Sequence, residues 1–169
     1  SQGKSVEILT PEKLDASVRE KISSLNPDIL VCFAYGKIFG PKFLELFPLG
    51  AINLHPSLLP KYRGCAPVPA SILNQDKITG ITIQRLVQQM DAGDILLQKE
   101  LVIQEDDNSE TILNKAASQG GKLFLEVLNQ IETKTEKPVP QDESQATYCR
   151  MLEKEDGKID WSKSAKEID

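Results

Sequence analysis

Asp28-Ile-Leu-Val-Cys-Phe-Ala34 is almost continuously apolar, and its reading decides the fold. A strand with one wet face alternates apolar and polar residues; a strand covered on both faces need not. The segment therefore predicts a strand of a parallel sheet with helices on both sides. Upstream, Leu14, Val18, Ile22 and Leu25 recur at helical spacing. Thr10 is the expected N-cap of that helix and Pro11 its first residue, and Asn26-Pro27 stops it. Before it, Ser5–Leu9 is a short strand candidate. Downstream, Pro41–Phe47 predicts a short helix and Ala51–Leu54 a second buried strand. Strand, helix, strand, helix, strand is the rhythm of a doubly wound α/β sheet.

Past an irregular run, Pro56–Gly64, the pattern predicts a helix over Pro67–Asn74 and strands over Gly80–Val87 and Ile95–Ile103. Asp91-Ala-Gly-Asp94 is the turn between those strands, and so short a connection implies an antiparallel pair at one edge of the sheet. Ser109 caps a long helix reaching about Ile131, with Leu113, Ala117, Phe124, Leu128 and Ile131 expected inward. Gly120-Gly121 lies inside it. Glycine costs about 1 kcal/mol there relative to alanine, so close packing against a neighbour is the expected reason. Thr133–Ser144 reads as an extended connector, Thr147–Met151 as a short strand and Trp161 as an anchor for the tail. The sequence starts mid-sheet and stops at Lys166–Asp169, at what reads as a helix start. The expectation is an internal piece of a longer protein.

Composition excludes several classes. With 169 residues, one domain with a sizeable core is expected. Hydrophobic residues make up 40% and charged residues 27%, the balance of a globular protein rather than a disordered one. No apolar run approaches the roughly 20 residues needed to span a bilayer, and Ser1-Gln-Gly-Lys4 has no secretory core behind it. Cys32, Cys65 and Cys149 are odd in number and far apart, without C-x-x-C spacing. Neither a disulfide framework nor a zinc site is indicated, which points to a reducing, cytoplasmic compartment. The net charge of −5 supplies no global basic field, so a nucleic-acid substrate would need a local patch or a region outside this chain.

Chemistry concentrates in Ala51-Ile-Asn-Leu-His-Pro-Ser57. Asn53 and His55 sit at the C-terminal end of a predicted parallel strand, where open α/β sheets bind ligands, and alternation points both to one side. An Asn amide can donate to a developing oxyanion. A histidine can move a proton near neutral pH. A carboxylate is then needed to orient the imidazole, and the Asp91 turn is the candidate.

The segment Asn53-Leu-His55-Pro-Ser-Leu-Leu-Pro60-Lys-Tyr-Arg-Gly64 resembles the signature of the formyltransferases that use 10-formyltetrahydrofolate. Gly80-Ile-Thr-Ile with Gln89-Met-Asp91-Ala-Gly93-Asp-Ile-Leu is similar to their second signature. Arg63-Gly-Cys-Ala-Pro67 and the tail from Gln141 through Tyr148 to Trp161 most resemble the members that act on methionyl-tRNA. The resemblance covers essentially the whole chain. It implies a Rossmann-like α/β formyltransferase domain, its sheet mostly parallel with an antiparallel edge and truncated at both ends. Residues 1–132 would form that catalytic domain without its N-terminal strands, and residues 133–169 a connector toward an absent C-terminal domain.

The resemblance also implies a mechanism. The α-amine of initiator methionyl-tRNA attacks the formyl carbon, Asn53 and protonated His55 stabilise the oxyanion, and Asp91 holds His55 and assists proton transfer. The family pattern places the catalytic carboxylate at Asp91 rather than Asp94. Ser57, Leu58, Leu59 and Pro60 match the loop that contacts the folate. 10-Formyltetrahydrofolate is the co-substrate, and no metal is implied. The main tRNA contacts would lie outside the chain, and the implied enzyme is a monomer serving translation initiation. Lys61-Tyr62-Arg63 fits a contact to tRNA phosphate and fits a solvated loop equally well. Cys65 has no implied catalytic role. Two other activities fit the same three residues: formylation of an amino sugar nucleotide or other small amine, and hydrolysis of 10-formyltetrahydrofolate to formate.

Overall fold

The computed structural model describes residues 6–168. In chain order they form α1 (Ala16–Ser24), β1 (Leu30–Phe33), α2 (Pro41–Leu44), β2 (Ala51–His55), β3 (Arg63–Gly64), α3 (Pro67–Leu73), β4 (Ile78–Arg85), β5 (Ile95–Val102), α4 (Ser109–Glu132), β6 (Tyr148–Cys149) and α5 (Ala165–Ile168). The main sheet has the order β1-β2-β4-β5. β1 pairs with β2 in parallel, while β4 runs antiparallel to both β2 and β5. Three of the four strands thus point one way and β4 alone is reversed. The α/β class and the antiparallel β4–β5 edge are as expected. The reversed strand also pairs inward, with β2, which its sequence does not reveal.

Each face of the sheet buries a separate apolar cluster. On one, Ile52, Leu54, Ile81, Ile83, Leu96 and Leu101 pack against Ala116, Leu123, Val127 and Ile131 of α4. On the other, Cys32 packs with Phe39, Phe43 and Phe47, helped by Leu14 and Ile22. Burial of side chains of this size stabilises by about 1.5–3 kcal/mol each. The first cluster holds β2 and the second holds β1; Val31 and Phe33 are exposed, so β1 is a strand as expected but, at the edge of the described sheet, is not covered on both faces.

α4 is rotated from the expected face, although Ile131 is buried as expected and Phe124 and Leu128 pack partly against the core. Its buried residues are Ile112, Ala116, Gly120, Leu123, Val127 and Ile131. Leu113 is 41% exposed, and Phe124 and Leu128 are only partly buried. The helix is turned by one residue, about 100°, because its sequence carries two adjacent apolar stripes and periodicity cannot choose between them. Gly120 decides. A Cβ there would lie 2.3 Å from Leu54 Cδ1, so the helix seats its glycine on β2. Gly121 has nothing within 4 Å of such a Cβ, and packing does not explain it. The N-cap is Asn108 rather than Ser109: its Oδ1 accepts from Glu110 N (2.9 Å) and Thr111 N (3.1 Å).

Other expectations are corrected at the chain's two ends. α1 starts at Ala16, capped by Asp15, whose Oδ1 accepts from Val18 N at 3.1 Å. Asp15 replaces Thr10-Pro11 as the start signal, and Leu25 is exposed. Ser5 of the expected first strand lies outside the described residues. Residues 6–9 form no strand, with Val6 and Ile8 exposed. Trp161 is 80% exposed, so it anchors nothing. The later chain is instead tied down earlier: Val139 bridges to Ile95, and β6 pairs in parallel with β3. Among the described residues no helix is long and apolar enough to cross a membrane.

Two outcomes follow for stability. Gly120→Val should lower stability by about 1–3 kcal/mol through overpacking against Leu54, read as a lower midpoint in urea; an unchanged midpoint would contradict the seating of α4. Asp107 accepts from Lys115 Nζ (2.7 Å), Gln104 N (2.8 Å) and Thr111 Oγ1 (2.8 Å), and these donors, Lys115 first, pull its pKa from 3.8 to about 2. A folded-state pKa below the unfolded value stabilises above about pH 4, and that stability is lost as pH falls toward 2. Asp107→Asn should therefore be less stable than the parent at pH 7, with the gap closing below pH 4.

Candidate active site

Alternation along β2 sends Ile52 and Leu54 into the α4 cluster and turns Asn53 and His55 to the opposite face. Their neighbours across the sheet are polar too. Asn53 pairs with Gln84, and His55 with Thr82, which pairs in turn with Gln98. Buried polar groups are tolerated when bonded, and these are bonded to the irregular loop after β2. Thr82 Oγ1 donates to Ser57 O (2.7 Å) and accepts from Leu59 N (3.1 Å) and Gln98 Nε2 (2.9 Å). Gln98 Nε2 also donates to Leu59 O at 2.8 Å. A polar stripe on the sheet thus fixes the loop over it.

His55 is 4% exposed. Its Nε2 donates to the Tyr62 carbonyl at 2.8 Å. A carbonyl only accepts, so Nε2 carries a hydrogen and Nδ1 is the nitrogen left for chemistry. Nδ1 lies 3.6 Å from Asp91 Oδ1, within ion-pair range and too long for a hydrogen bond. Asp91 is oriented from two sides: Gln84 Nε2 donates to Oδ1 and Gly64 N to Oδ2, both at 2.9 Å. Its backbone is left-handed, with φ 49°, which costs a non-glycine residue on the order of 1–3 kcal/mol. Gly93 closes the same turn. A Cβ there would lie 1.8 Å from Arg85 O, so no other residue fits. Asp94 gives its carbonyl to Arg85 N at 2.8 Å and serves the turn.

Tyr62 holds the other side of His55. It too is left-handed, with φ 60°, and is fastened by three further bonds. Its N donates to Thr147 Oγ1 (2.8 Å), its Oη donates to Asp76 Oδ2 (2.7 Å), and Asn74 Nδ2 donates to Oη (3.0 Å). Burial, and then the bond to Asp76, raise the phenol above its ordinary pKa. Burial likewise raises the thiols of Cys32 and Cys149, and the Asp91 charge adds to the shift in both. They remain thiols, unsuited to thiolate chemistry.

The loop residues divide. Ser57 and Leu59 are 0% and 3% exposed, and Ser57 Oγ donates to Lys61 O at 2.6 Å. Leu58 and Pro60 keep accessible surface and line a cavity of about 250 Å³ with Lys61, Tyr62 and Asp76. A larger cavity of about 510 Å³ lies beside Pro48, Arg85 and Lys134, and neither cavity is lined by Asn53, His55 or Asp91. Arg63 contradicts both sequence readings of its loop. It is 0% exposed, neither solvated nor open to phosphate. Its guanidinium donates to Gln141 Oε1 (2.8 and 3.1 Å) and to both oxygens of Glu143 (2.7 and 2.9 Å). Lys61 is exposed.

A buried histidine between a carbonyl and a carboxylate, at the end of β2, is now fixed by geometry. Residues 4–128 match the model of the formyl transferase family. The chain belongs to that family. The methionyl-tRNA formyltransferase of Treponema denticola is 54% identical over 162 residues, covering 96% of this chain and 50% of that protein. The chain spans about half the length of the curated relatives it matches. Among solved structures, the formyltransferase PseJ from Anoxybacillus kamchatkensis, in complex with a UDP-linked formamido sugar and tetrahydrofolate, is 28% identical. It superposes with a TM-score of 0.70 over 87% of this chain and 74% of that one. HypX from Aquifex aeolicus, in complex with tetrahydrofolic acid, shares the fold: TM-score 0.78, 19% identity, 90% of this chain and 26% of that one.

In this formyl transferase chain the structure brings His55 and Asp91 together and sets Asn53 on their face of the sheet. Four supporting residues were not legible as such: Gln84, Tyr62, Arg63 and Gln141. For Gln84 a signal existed, a glutamine at an inward position of a strand. The single histidine of the chain allows a direct test. Its ¹⁵N spectrum should show a hydrogen on Nε2 in every protonation state. A neutral form with the hydrogen on Nδ1 alone would contradict the Tyr62 bond.

Proposed function

We propose that Asn53, His55 and Asp91 are the catalytic group of a monomeric, cytoplasmic enzyme. It transfers a formyl group from 10-formyltetrahydrofolate to the α-amine of initiator methionyl-tRNA, for the start of translation. The observation that carries this reading is the pair of buried His55 and partly buried Asp91, in a chain so similar to a methionyl-tRNA formyltransferase. The amine attacks the formyl carbon, and the carbonyl oxygen becomes an oxyanion. Asn53 is half-buried, and its amide makes no hydrogen bond among the described residues, so it is free to donate there. His55 donates from Nδ1, since Nε2 is engaged by Tyr62. A proton on Nδ1 lies between Asp91 and the oxyanion, in a site with little water to screen either charge. Asp91 then takes the proton released by the amine. Collapse of the intermediate returns a proton to the departing folate nitrogen, so charge balances over the cycle.

Leu58 and Pro60 would hold the folate through their accessible apolar surface, with Ser57 and Leu59 as the buried anchors of the same loop. The larger part of the tRNA would be held by regions beyond this chain, and residues 133–169 would lead toward them. Kinship with PseJ, a formyltransferase solved with a formamido sugar nucleotide, makes a small amine the second reading.

The complete protein, given formyl-labelled 10-formyltetrahydrofolate, should label initiator methionyl-tRNA and not the uncharged tRNA. Label on an amino sugar nucleotide would favour the second reading. Free formate without an acceptor would make the enzyme a hydrolase. His55→Ala should lower kcat by about 10²–10⁴-fold. A folded variant with a near-normal rate would remove His55 from the mechanism.

A further inference from the structure

We infer that Gln141 is a positioning residue for Asp91, acting through the backbone of the turn that carries it. The inference rests on the reading of Asp91 as catalytic. Gln141 Nε2 donates to the Asp91 carbonyl (2.8 Å) and to the Gly93 carbonyl (2.7 Å). One amide group thus satisfies the two carbonyls that flank Ala92. Its Oε1 faces Arg63, which can only donate, so the orientation of the amide is chemically forced. Arg63 is in turn held by the bidentate bond to Glu143, and Glu143 sits in the same segment as Gln141.

The arrangement closes a ring around Asp91. β3 supplies Gly64 N to the carboxylate. Its other residue, Arg63, holds the Gln141 that holds the Asp91 peptide. Side chain and backbone of Asp91 are therefore fixed from the same two-residue strand. The left-handed φ of Asp91 is a conformation that residues with a Cβ avoid, so the turn needs outside bonds to keep it. Without the Gln141 donor, two carbonyls lose their partner and the turn relaxes. Oδ1 then drifts from its 3.6 Å approach to His55 Nδ1. Gln141 touches neither substrate in this scheme, so its loss acts on turnover and not on binding. The segment after α4 is thereby part of the catalytic machinery rather than a passive connection.

Gln141→Glu in the complete protein isolates the effect. Glutamate keeps the length and the acceptor for Arg63 but cannot donate to the carbonyls. The expected result is a fall in kcat of about tenfold to hundredfold, as for loss of other orienting partners. KM for both substrates should stay nearly unchanged, while the unfolding midpoint falls because two carbonyls lose their donor. Should that variant not fold, Gln141→Met, similar in length and without donors, is read the same way. Asp91→Asn is measured beside it. An inactive Asp91→Asn together with a wild-type kcat in the folded Gln141 variant overturns this inference alone, as does a loss confined to KM. An Asp91→Asn protein that retains its rate removes the catalytic reading and the inference with it.

Discussion

A ring nitrogen buried away from water without a partner costs about 1–3 kcal/mol, so His55 Nε2 must be bonded, while Nδ1 is left within ion-pair range of a carboxylate. In this protein that requirement organises the site. The Tyr62 carbonyl takes the hydrogen of Nε2, and the Asp91 carboxylate faces Nδ1. Each partner comes from a left-handed residue, and each is held there by bonds from elsewhere: Thr147, Asn74 and Asp76 for Tyr62; Gln84, Gly64 and Gln141 for Asp91. The two partners differ in consequence. A neutral carbonyl fixes orientation, whereas a carboxylate stabilises an imidazolium as well. The asymmetry leaves Nδ1 as the nitrogen that the proposed mechanism uses.

The fold supplies this arrangement by dividing the sheet into two faces. The α4 face is apolar and rigid, clamped by Gly120 against Leu54. On the other face lie Asn53, His55, Thr82, Gln84 and Gln98 in register. Reversal of β4 matters here. It brings the C-terminal end of that strand, and the Asp91 turn after it, back toward β2. Thr82 and Gln98 meanwhile pin the loop that returns the chain to Tyr62. The proposed catalytic group is thus assembled from one strand end, one loop and one turn, with the segment around Gln141 closing the ring.

Much of this was legible in the sequence, and the limits have physical causes. The apolar run over 28–34, the strand over 51–54 and the Asn53–His55 pair follow from local patterns, and the structure sets Asp91 opposite His55. The face of α4 did not follow, because Ile112-Leu113, Leu123-Phe124 and Val127-Leu128 offer two equal stripes. Only the approach of Gly120 to Leu54 separates them. Arg63 read as a loop cation because burial of a guanidinium depends on partners 78 and 80 positions away. Gln141 opens the tail that resembles the family but gave no local sign of this role, since its bonds reach back to a turn that sequence pattern cannot place beside it. Local chemistry is written in local sequence; the supports of a strained turn are not.

The central claim is that His55 and Asp91 act as one unit, and a double-mutant cycle on kcat of the complete protein tests it most directly. If the pair is a unit, adding Asp91→Asn to a His55→Ala protein should cost far less than Asp91→Asn costs in the parent, because the shared interaction has already been lost. If the two losses multiply as for independent sites, the residues contribute separately and the account is wrong.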